Sequence, residues 1–417
     1  MLHHIPSLVR RWSVHHKQFM FFITSSSIGS FAGSLVYGLL PVVIAASHGE
    51  WFAGIFISMF NLFQAFVLSP IAGSLADRIG SRRTVIFGQI CGMAAFLVWI
   101  VFPMDQTLVL LLFSFLLFWS YAFRNTAETY ILRTMKSDEG GIAFGLFGNV
   151  TSLAIFLSTA SLPFFLLTDN EIVAPAALFF VHLFCFITLL FLPDDTVKRK
   201  RKADTLLATL NPVPSLQSGW NFLKKNSGFP GLLLGAALFE GMFYGTVWFV
   251  FPLHIAKFGL DGSGLHLGIY DLVTAFFAGY AGYLADKYNW RHVHSLGWIF
   301  VILGLIALPF YGWPTWLIIV GFVIAIGNNL SYYAATHALQ KYDIDHREDG
   351  AFISFRVATS SVGYAIAPLM AGFLYSRYGF LTSLSVNSFF CIILAIGMIV
   401  LTWRLEKKEK TPKKKRT

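Results

Sequence analysis

Charge is scarce in this 417-residue chain, because Asp, Glu, Lys and Arg together make up only 12% of it. A soluble domain carries about 25% charged residues. Hydrophobic residues account for 56% of the chain. Burying that much apolar surface away from water would need a larger core than single domains build, so the composition argues against a soluble protein and predicts an integral membrane protein.

Cysteine is also rare, and the three residues Cys91, Cys185 and Cys391 lie in separate apolar runs. Their spacing gives neither a metal site nor a disulfide framework. The sequence also lacks a nucleotide-binding loop and a nucleophile–base motif, so we predict no cofactor, no metal and no enzyme activity. No cleavable signal peptide is evident, since the apolar segment after the basic stretch 1–17 is too long for a signal core.

Long apolar runs are what the sequence has in abundance. A spanning helix needs about 20 apolar residues, and lipid-facing backbone has to be helical to satisfy its hydrogen bonds. We therefore predict an all-α membrane protein with twelve transmembrane helices, here called spans one to twelve. Their predicted ranges are 19–46, 51–74, 84–102, 106–133, 140–168, 172–193, 229–256, 264–286, 293–311, 313–340, 349–375 and 380–404.

The basic residues test this count and orient the chain. With the N-terminus in the cytoplasm, all Lys and Arg residues except Arg124, Lys257, Arg356 and Arg377 fall in cytoplasmic segments, as the positive-inside rule requires. The net charge of +10 is thus an orientation signal and does not indicate nucleic-acid binding. We expect a multi-pass protein of the cytoplasmic (plasma) membrane with both termini in the cytoplasm and a basic tail near anionic lipid.

The two halves of the chain repeat each other. GYLADKYNWR at 282–291 echoes GSLADRIGSRR at 73–83, and AFISFRVATS at 351–360 echoes AFGLFGNVTS at 143–152, at nearly the same separation. Parallel repeats of this kind are a transporter device, with the substrate site between the halves. The predicted domains are a tail (1–18), a six-helix bundle (19–193), a linker with a short surface helix (194–228), a second bundle (229–404) and a basic tail (405–417).

The segment GSLADRIGSRR fits the pattern G-x-x-x-D-R-x-G-x-R-R between spans two and three. With twelve spans in two repeats, the chain resembles the major facilitator superfamily, although Ser81 stands where members usually have a basic residue. The resemblance implies the MFS fold, a cavity lined by spans one, four, seven and ten, and transport by alternating access.

The resemblance also implies a latch between the two halves. A small Gly73 permits close helix approach, and the Asp77 carboxylate suits the N-terminus of span eleven. The alternative is a charged segment that only marks topology. The predicted latch residues are Gly73, Asp77, Arg78, Arg82, Arg83, Asp286 and Arg356.

Ionisable residues inside a span are costly and are functional candidates by default. Glu240 lies near the middle of span seven and is the preferred proton-coupling carboxylate, the alternative being a protonated structural group. Arg124 and Glu128 in span four are spaced i, i+4, which gives either an ion pair at a gate or an anion site on Arg124. Asp271 in span eight suits an outer gate or a second proton site, and Arg356 in span eleven suits the latch better than substrate contact.

Neutral polar residues complete the candidate substrate and coupling site. Asn328, Asn329 and His337 lie in span ten, although a single intramembrane His is more often a hydrogen-bonded packing residue. Tyr37 and Tyr244 occupy matching positions in spans one and seven.

The function predicted from these residues is secondary active transport, coupled to protons, of a small anionic or zwitterionic solute. We expect a monomer in contact with membrane lipid and no nucleic-acid partner. Two alternatives stay open: an uncoupled facilitator, and a non-transporting binding or receptor protein on the same fold.

Overall fold

The computed structural model describes residues 17–127, 130, 140–166, 172–192, 211–225, 229–258, 263–310, 314–341 and 349–410. Within these ranges twelve helices are long and apolar enough to cross a membrane, which confirms the predicted fold class. The spans are Lys17–His48, Glu50–Phe63 continuing to Ile79, Ser81–Val101, Thr107–Arg124, Gly140–Leu166, Val173–Leu190, Phe229–Phe258, Ser263–Lys287, Trp290–Ala307, Pro314–Lys341, Asp349–Tyr378 and Phe380–Lys410. The linker contains the expected short helix, Val213–Lys225.

A turn interrupts the helix of span four within the predicted range 106–133, and Ala127 and Tyr130 after it are again helical. The first segment of span four ends at Arg124, and Asn125 and Thr126 form the turn. The hydroxyl and the backbone N–H of Thr126 both donate to the carbonyl of Phe123, at 2.7 and 3.2 Å. This local bonding replaces the i→i−4 ladder, as Thr side chains often do. Arg124 is therefore the last residue before the turn.

Span two contains a π-helical turn at Gln64–Leu68, between the α-helical segments Glu50–Phe63 and Ser69–Ile79. Pro70 follows at the start of the second segment. Turns of this kind bend helices and occur often at functional sites. Span two thus consists of two α-helical segments joined by a π-helical turn, which its hydropathy does not reveal.

The two halves of the chain pack against each other at several pairs of spans. In the first half, span three packs against spans four and six, and span one against span five. In the second half, span seven packs against spans eleven and twelve, and span nine against span ten. In the described part of the chain the most extensive contacts between the halves join span two to span eleven, span five to span eight, and span one to span seven.

The two faces of the bundle differ in charge. We call the face where span one begins, and where the loop at 77–83 lies, the basic side, and the face where span one ends the opposite side. On the opposite side the halves touch backbone to backbone. A Cβ on Gly54 would lie 2.5 Å from the carbonyl oxygen of Pro368, and one on Gly372 would lie 2.9 Å from that of Glu50. The structure is thus closed between spans two and eleven on this side.

Gly54→Leu is expected to hold the opposite side open. No side chain fits between Gly54 and Pro368, and overpacking a tight contact costs about 1–3 kcal/mol, or about a five- to 150-fold shift between two conformations. The three native cysteines are first replaced by alanine, and a single cysteine is introduced as Ile57→Cys, a buried position on span two. The measurement is the rate at which a membrane-impermeant maleimide alkylates this cysteine. Gly397→Leu is the matched control, because a Cβ there meets open space. Equal labelling rates in both variants would contradict closure at Gly54.

Candidate functional site

A cluster of tyrosines lies where the two halves meet. Tyr37 of span one stacks on Tyr121 of span four with ring centroids 5.0 Å apart. Tyr37 also contacts Tyr364 of span eleven across the boundary between the halves, at 5.8 Å. Tyr244 of span seven packs edge-on to Tyr270 of span eight at 5.9 Å, and a Cβ on the next residue, Gly245, would lie 3.3 Å from the ring of Tyr364. We call Tyr37, Tyr121, Tyr244, Tyr270 and Tyr364 the central tyrosine cluster.

Arg124 borders this cluster from the first half. Its guanidinium lies over the ring of Tyr121, 5.1 Å from the centroid, and Nη1 donates a hydrogen bond to the carbonyl oxygen of Gly29. The Tyr121 hydroxyl donates to the carbonyl of Gly33 at 3.0 Å. A Cβ on Gly33 would lie 2.5 Å from Nη1, so the arginine fits only against a glycine. Span one therefore supplies both the space and the acceptor that position Arg124.

Within the described part of the chain, the groups that contact the Arg124 guanidinium are neutral. No carboxylate within the described ranges forms an ion pair with it, and Glu128, its predicted partner, lies outside them. Arg124 is half-buried and sits against the middle of span one.

Two carboxylic acids border the cluster from the second half. Glu240 lies one helical turn before Tyr244 on span seven and is half-buried. Asp271 of span eight is 9% exposed, and its charge interacts with that of Glu240. Among the described residues, Oδ2 of Asp271 is buried without a hydrogen-bond partner. Two carboxylates in one buried site repel each other unless one holds a proton or a cation lies between them.

In span ten, one of the residues predicted to contact the substrate instead bonds to a neighbouring helix. The Asn329 amide donates to Thr274 Oγ1 of span eight and to the Ala325 carbonyl, each at 2.8 Å, so Asn329 joins two helices. Asn328 is half-buried, and the side chain of His337 lies outside the described part. The Tyr333 hydroxyl lies at span five, 3.2 Å from where a Cβ on Gly148 would stand. The substrate roles of Asn328, Asn329 and His337 stay predictions.

Comparison with known proteins identifies the family. Residues 19–342 and 233–417 match the family described as the Major Facilitator Superfamily. The chain belongs to this superfamily. A curated relative, an uncharacterized MFS-type transporter of Schizosaccharomyces pombe (strain 972 / ATCC 24843), C18.02, is 26% identical over 146 residues. That match spans only 31% of this chain and about a third (32%) of the relative's length.

Solved structures share the MFS fold over nearly the whole chain. The human organic anion transporter MFSD10 (TETRAN) has a TM-score of 0.66 at 13% identity, covering 92% of this chain and 98% of that one. A POT family transporter in complex with 5-aminolevulinic acid has a TM-score of 0.72 at 14% identity, covering 93% and 96%. At this identity the likeness shows the fold alone. The relatives are transporters and not enzymes.

The MFS motif lies at the basic side, where the latch is predicted. Segment Ser69–Ile79 of span two, which holds Gly73, Asp77 and Arg78, packs against span eleven, and the linker helix contacts both. Arg82 donates to the carbonyls of Leu189 at 2.9 Å and Leu190 at 2.7 Å, at the end of span six. An arginine there satisfies terminal carbonyls and complements the helix dipole within the first half.

The remaining latch residues stay predictions. Arg83 is exposed at the start of span three. Arg356 Nη1 lies 3.2 Å from the Tyr332 hydroxyl oxygen and donates to it, which joins span eleven to span ten in the second half. The Asp286 side chain lies outside the described part of the chain.

Several site residues were missed by the sequence analysis. Tyr121, Tyr364 and Tyr333 are ordinary aromatics in a chain with 15 tyrosines, so composition does not single them out. Gly29 and Gly33 did carry a signal, because small residues four apart permit close helix approach. Asn61 and Gln64 also stand out as buried amides in an apolar span.

Proposed function

We propose that this protein is a secondary active transporter that moves a small zwitterionic or anionic organic solute across the cytoplasmic membrane, by alternating access and coupled to protons. The observation that carries the proposal is the placement of opposite charges around one tyrosine cluster. Arg124 borders it from the first half, and Glu240 and Asp271 border it from the second.

The charges favour a solute with an acidic group. A guanidinium presents a planar fork of donors that matches a carboxylate or phosphate. The acid pair and the tyrosine faces suit an ammonium group, which is attracted to carboxylates and to aromatic rings. A zwitterion satisfies both halves at once, whereas a simple cation leaves Arg124 without an anion and a neutral solute leaves both charges unmatched.

Alternating access follows from the same placement. Because the ligand groups lie on different halves, a bound zwitterion holds the halves together, and release on either side requires them to separate. The charge bias of the loops favours a cytoplasmic location for the basic side. The tight contact of Gly54 with the Pro368 carbonyl then closes the outer side. The acid pair supplies the coupling, since it has to take up a proton when no ammonium group lies between the carboxylates.

Two solved relatives support a charged organic solute without establishing it. One is an organic anion transporter, and another was solved with 5-aminolevulinic acid, whose name denotes an amino and an acid group. We expect the transporter to work as a monomer in the lipid bilayer.

The test uses the purified protein in proteoliposomes. A thermal-shift screen of amino acids and small organic anions selects radiolabelled solutes, whose uptake is measured with and without an imposed pH gradient. We expect the acidic gradient to drive accumulation and a protonophore to abolish it. Flux that only equilibrates and ignores the gradient would indicate the uncoupled facilitator. Binding without any flux would indicate the receptor alternative.

A further inference from the structure

Span eight carries an exposed patch of one lysine and three tyrosines where it ends at the basic side. Lys287 is the last residue of its helix, and its Nζ lies 5.6 Å from the ring centroids of both Tyr283 and Tyr288. The ring of Tyr280 stacks on that of Tyr283 with centroids 6.2 Å apart. All four side chains are exposed. We call Tyr280, Tyr283, Lys287 and Tyr288 the lysine–tyrosine patch.

The patch lies on the face of span eight that points away from the solute site. Successive residues of a helix are turned by about 100°, so the patch residues within the helix lie about 120–180° around its axis from the buried Asp271. The other faces of span eight pack against spans five and ten. A Cβ on the exposed Gly279 would meet nothing within 4 Å, so the described chain leaves this face uncovered. The exposed face of span eight therefore borders the lipid bilayer.

This face changes from polar to apolar toward the middle of the span. Phe276 is 78% exposed and stands eleven residues before Lys287. At a rise of about 1.5 Å per residue the two are about 16 Å apart along the helix, close to the hydrocarbon thickness of one leaflet, about 15 Å. A phospholipid has the same order of groups, with a charged headgroup at the membrane surface and acyl chains below it. The exposed face thus matches one phospholipid along its length.

The chemistry of the patch suits a phosphate. An ammonium group forms charge-assisted hydrogen bonds to phosphate oxygens, and tyrosine hydroxyls at the membrane surface are further donors. The rings of Tyr283 and Tyr288 hold the Lys287 ammonium in place by cation–π contact. An anionic headgroup fits better than phosphatidylcholine, because the quaternary ammonium of choline offsets the phosphate charge and is repelled by lysine.

We infer that the lysine–tyrosine patch binds the headgroup of an anionic phospholipid of the bilayer, whose acyl chains lie along the exposed face toward Phe276. The Lys287 ammonium binds the phosphate, and the hydroxyls of Tyr280 and Tyr283 donate hydrogen bonds to its oxygens. The inference does not rest on the proposed function, since lipid binding needs neither solute nor transport. It places a lipid on the helix that joins the second half to span five of the first.

The experiment measures lipid binding to the full-length protein, purified in detergent, by native mass spectrometry. The probes are phosphatidylglycerol and phosphatidylcholine with the same acyl chains, and the dissociation constant of the first bound lipid is compared. We expect the wild type to bind phosphatidylglycerol at least about fivefold more tightly. Lys287→Gln is expected to weaken phosphatidylglycerol binding by about fivefold, the effect of one basic residue near an anionic surface, and to leave phosphatidylcholine binding unchanged. Lys287→Arg keeps the charge and should stay within about twofold of the wild type.

Two further variants separate a defined site from general attraction of anions. The double variant Tyr280→Phe with Tyr283→Phe keeps both rings and removes both hydroxyls, so it should weaken phosphatidylglycerol binding by about two- to tenfold. Arg404→Gln is the matched control, because Arg404 is exposed near the basic-side end of span twelve and its loss removes the same charge away from the patch. It is expected to keep the wild-type affinity.

The outcomes decide between a lipid site and two simpler accounts. A wild type that does not prefer phosphatidylglycerol would overturn the inference and leave the tyrosines as ordinary aromatic anchors at the membrane surface. Equal losses in Lys287→Gln and Arg404→Gln would also overturn it, because overall surface charge would then account for the binding. Unchanged affinity in Lys287→Gln would exclude the lysine from the site. Transport is not measured, so each of these results leaves the proposed function standing.

Discussion

Arg124→Ala is expected to abolish accumulation of the solute while the protein still inserts and folds. The variant removes the cation that borders the tyrosine cluster from the first half, together with its contact to Tyr121. The charge pair at stake is the one that Arg124 forms with the acidic group of the bound solute. Truncating one partner of such a pair costs about 2–5 kcal/mol, equal to a loss of about thirtyfold to a few thousandfold in affinity for the solute. The effect on folding is smaller, because Arg124 bonds to a neutral carbonyl of Gly29 and its removal leaves no carboxylate unpaired in the described part of the chain.

A glycine variant tests the position of Arg124 without removing its charge. A Cβ at Gly33 would lie 2.5 and 2.6 Å from Nη1 and Nη2, so Gly33→Ala displaces the guanidinium. We expect this variant to raise the KM for the solute by about tenfold, which is the effect of 1.4 kcal/mol, with less change in kcat. Gly397→Ala is the control, because a Cβ there meets open space.

Uptake rate and detergent-extracted monomer yield are measured together for the three variants. Wild-type uptake by Arg124→Ala at normal yield would remove the residue from the site. Equal losses in Gly33→Ala and Gly397→Ala would show that the effect comes from helix stability and not from the position of Arg124.

The sequence predicts the number of spans, the two halves and the charged residues of the site for a simple reason. Length and hydropathy decide whether a segment spans a membrane, and a charge inside such a segment has to face the bundle interior. Each of these properties can be assessed from one segment alone, without knowing which other segments it contacts. Arg124, Glu240 and Asp271 were found this way, and the structure brings them to the same cluster.

Relations between segments were not predictable from the same data. Hydropathy carries no information about rotation of one apolar helix against another, so the pairing of Tyr37 with Tyr364 stayed hidden. The use of Asn329 to join span ten to span eight depends on a partner, Thr274, that lies 55 positions earlier. The turn after Arg124 arises because Thr126 bonds locally to the Phe123 carbonyl.

Glu240→Gln is expected to separate transport from its driving force. The amide keeps the shape of the protonated carboxyl but neither gains nor loses a proton. Coupling to one proton would let the wild type accumulate the solute about tenfold for each pH unit of gradient, since one unit corresponds to about 1.4 kcal/mol. The variant should accumulate nothing above the outside concentration, whatever the gradient.

Exchange of labelled for unlabelled solute between equal compartments should survive in Glu240→Gln. Exchange needs only binding and the movement of the two halves, and a neutral residue at position 240 removes the repulsion with Asp271 that a second carboxylate would cause. Glu50→Gln serves as the control, because Glu50 lies at the start of span two on the opposite side, away from the acid pair. It should accumulate solute as the wild type does.

Asp271 decides how a contrary result is interpreted. If Glu240→Gln still concentrates solute against a gradient at the wild-type rate, Glu240 is not the proton carrier. Asp271, with its buried and unpartnered Oδ2, then becomes the carrier, and Asp271→Asn should lose accumulation and keep exchange. Loss of exchange in Glu240→Gln would instead mean that the carboxylate itself binds the solute's ammonium group, since an amide offers that group no negative charge.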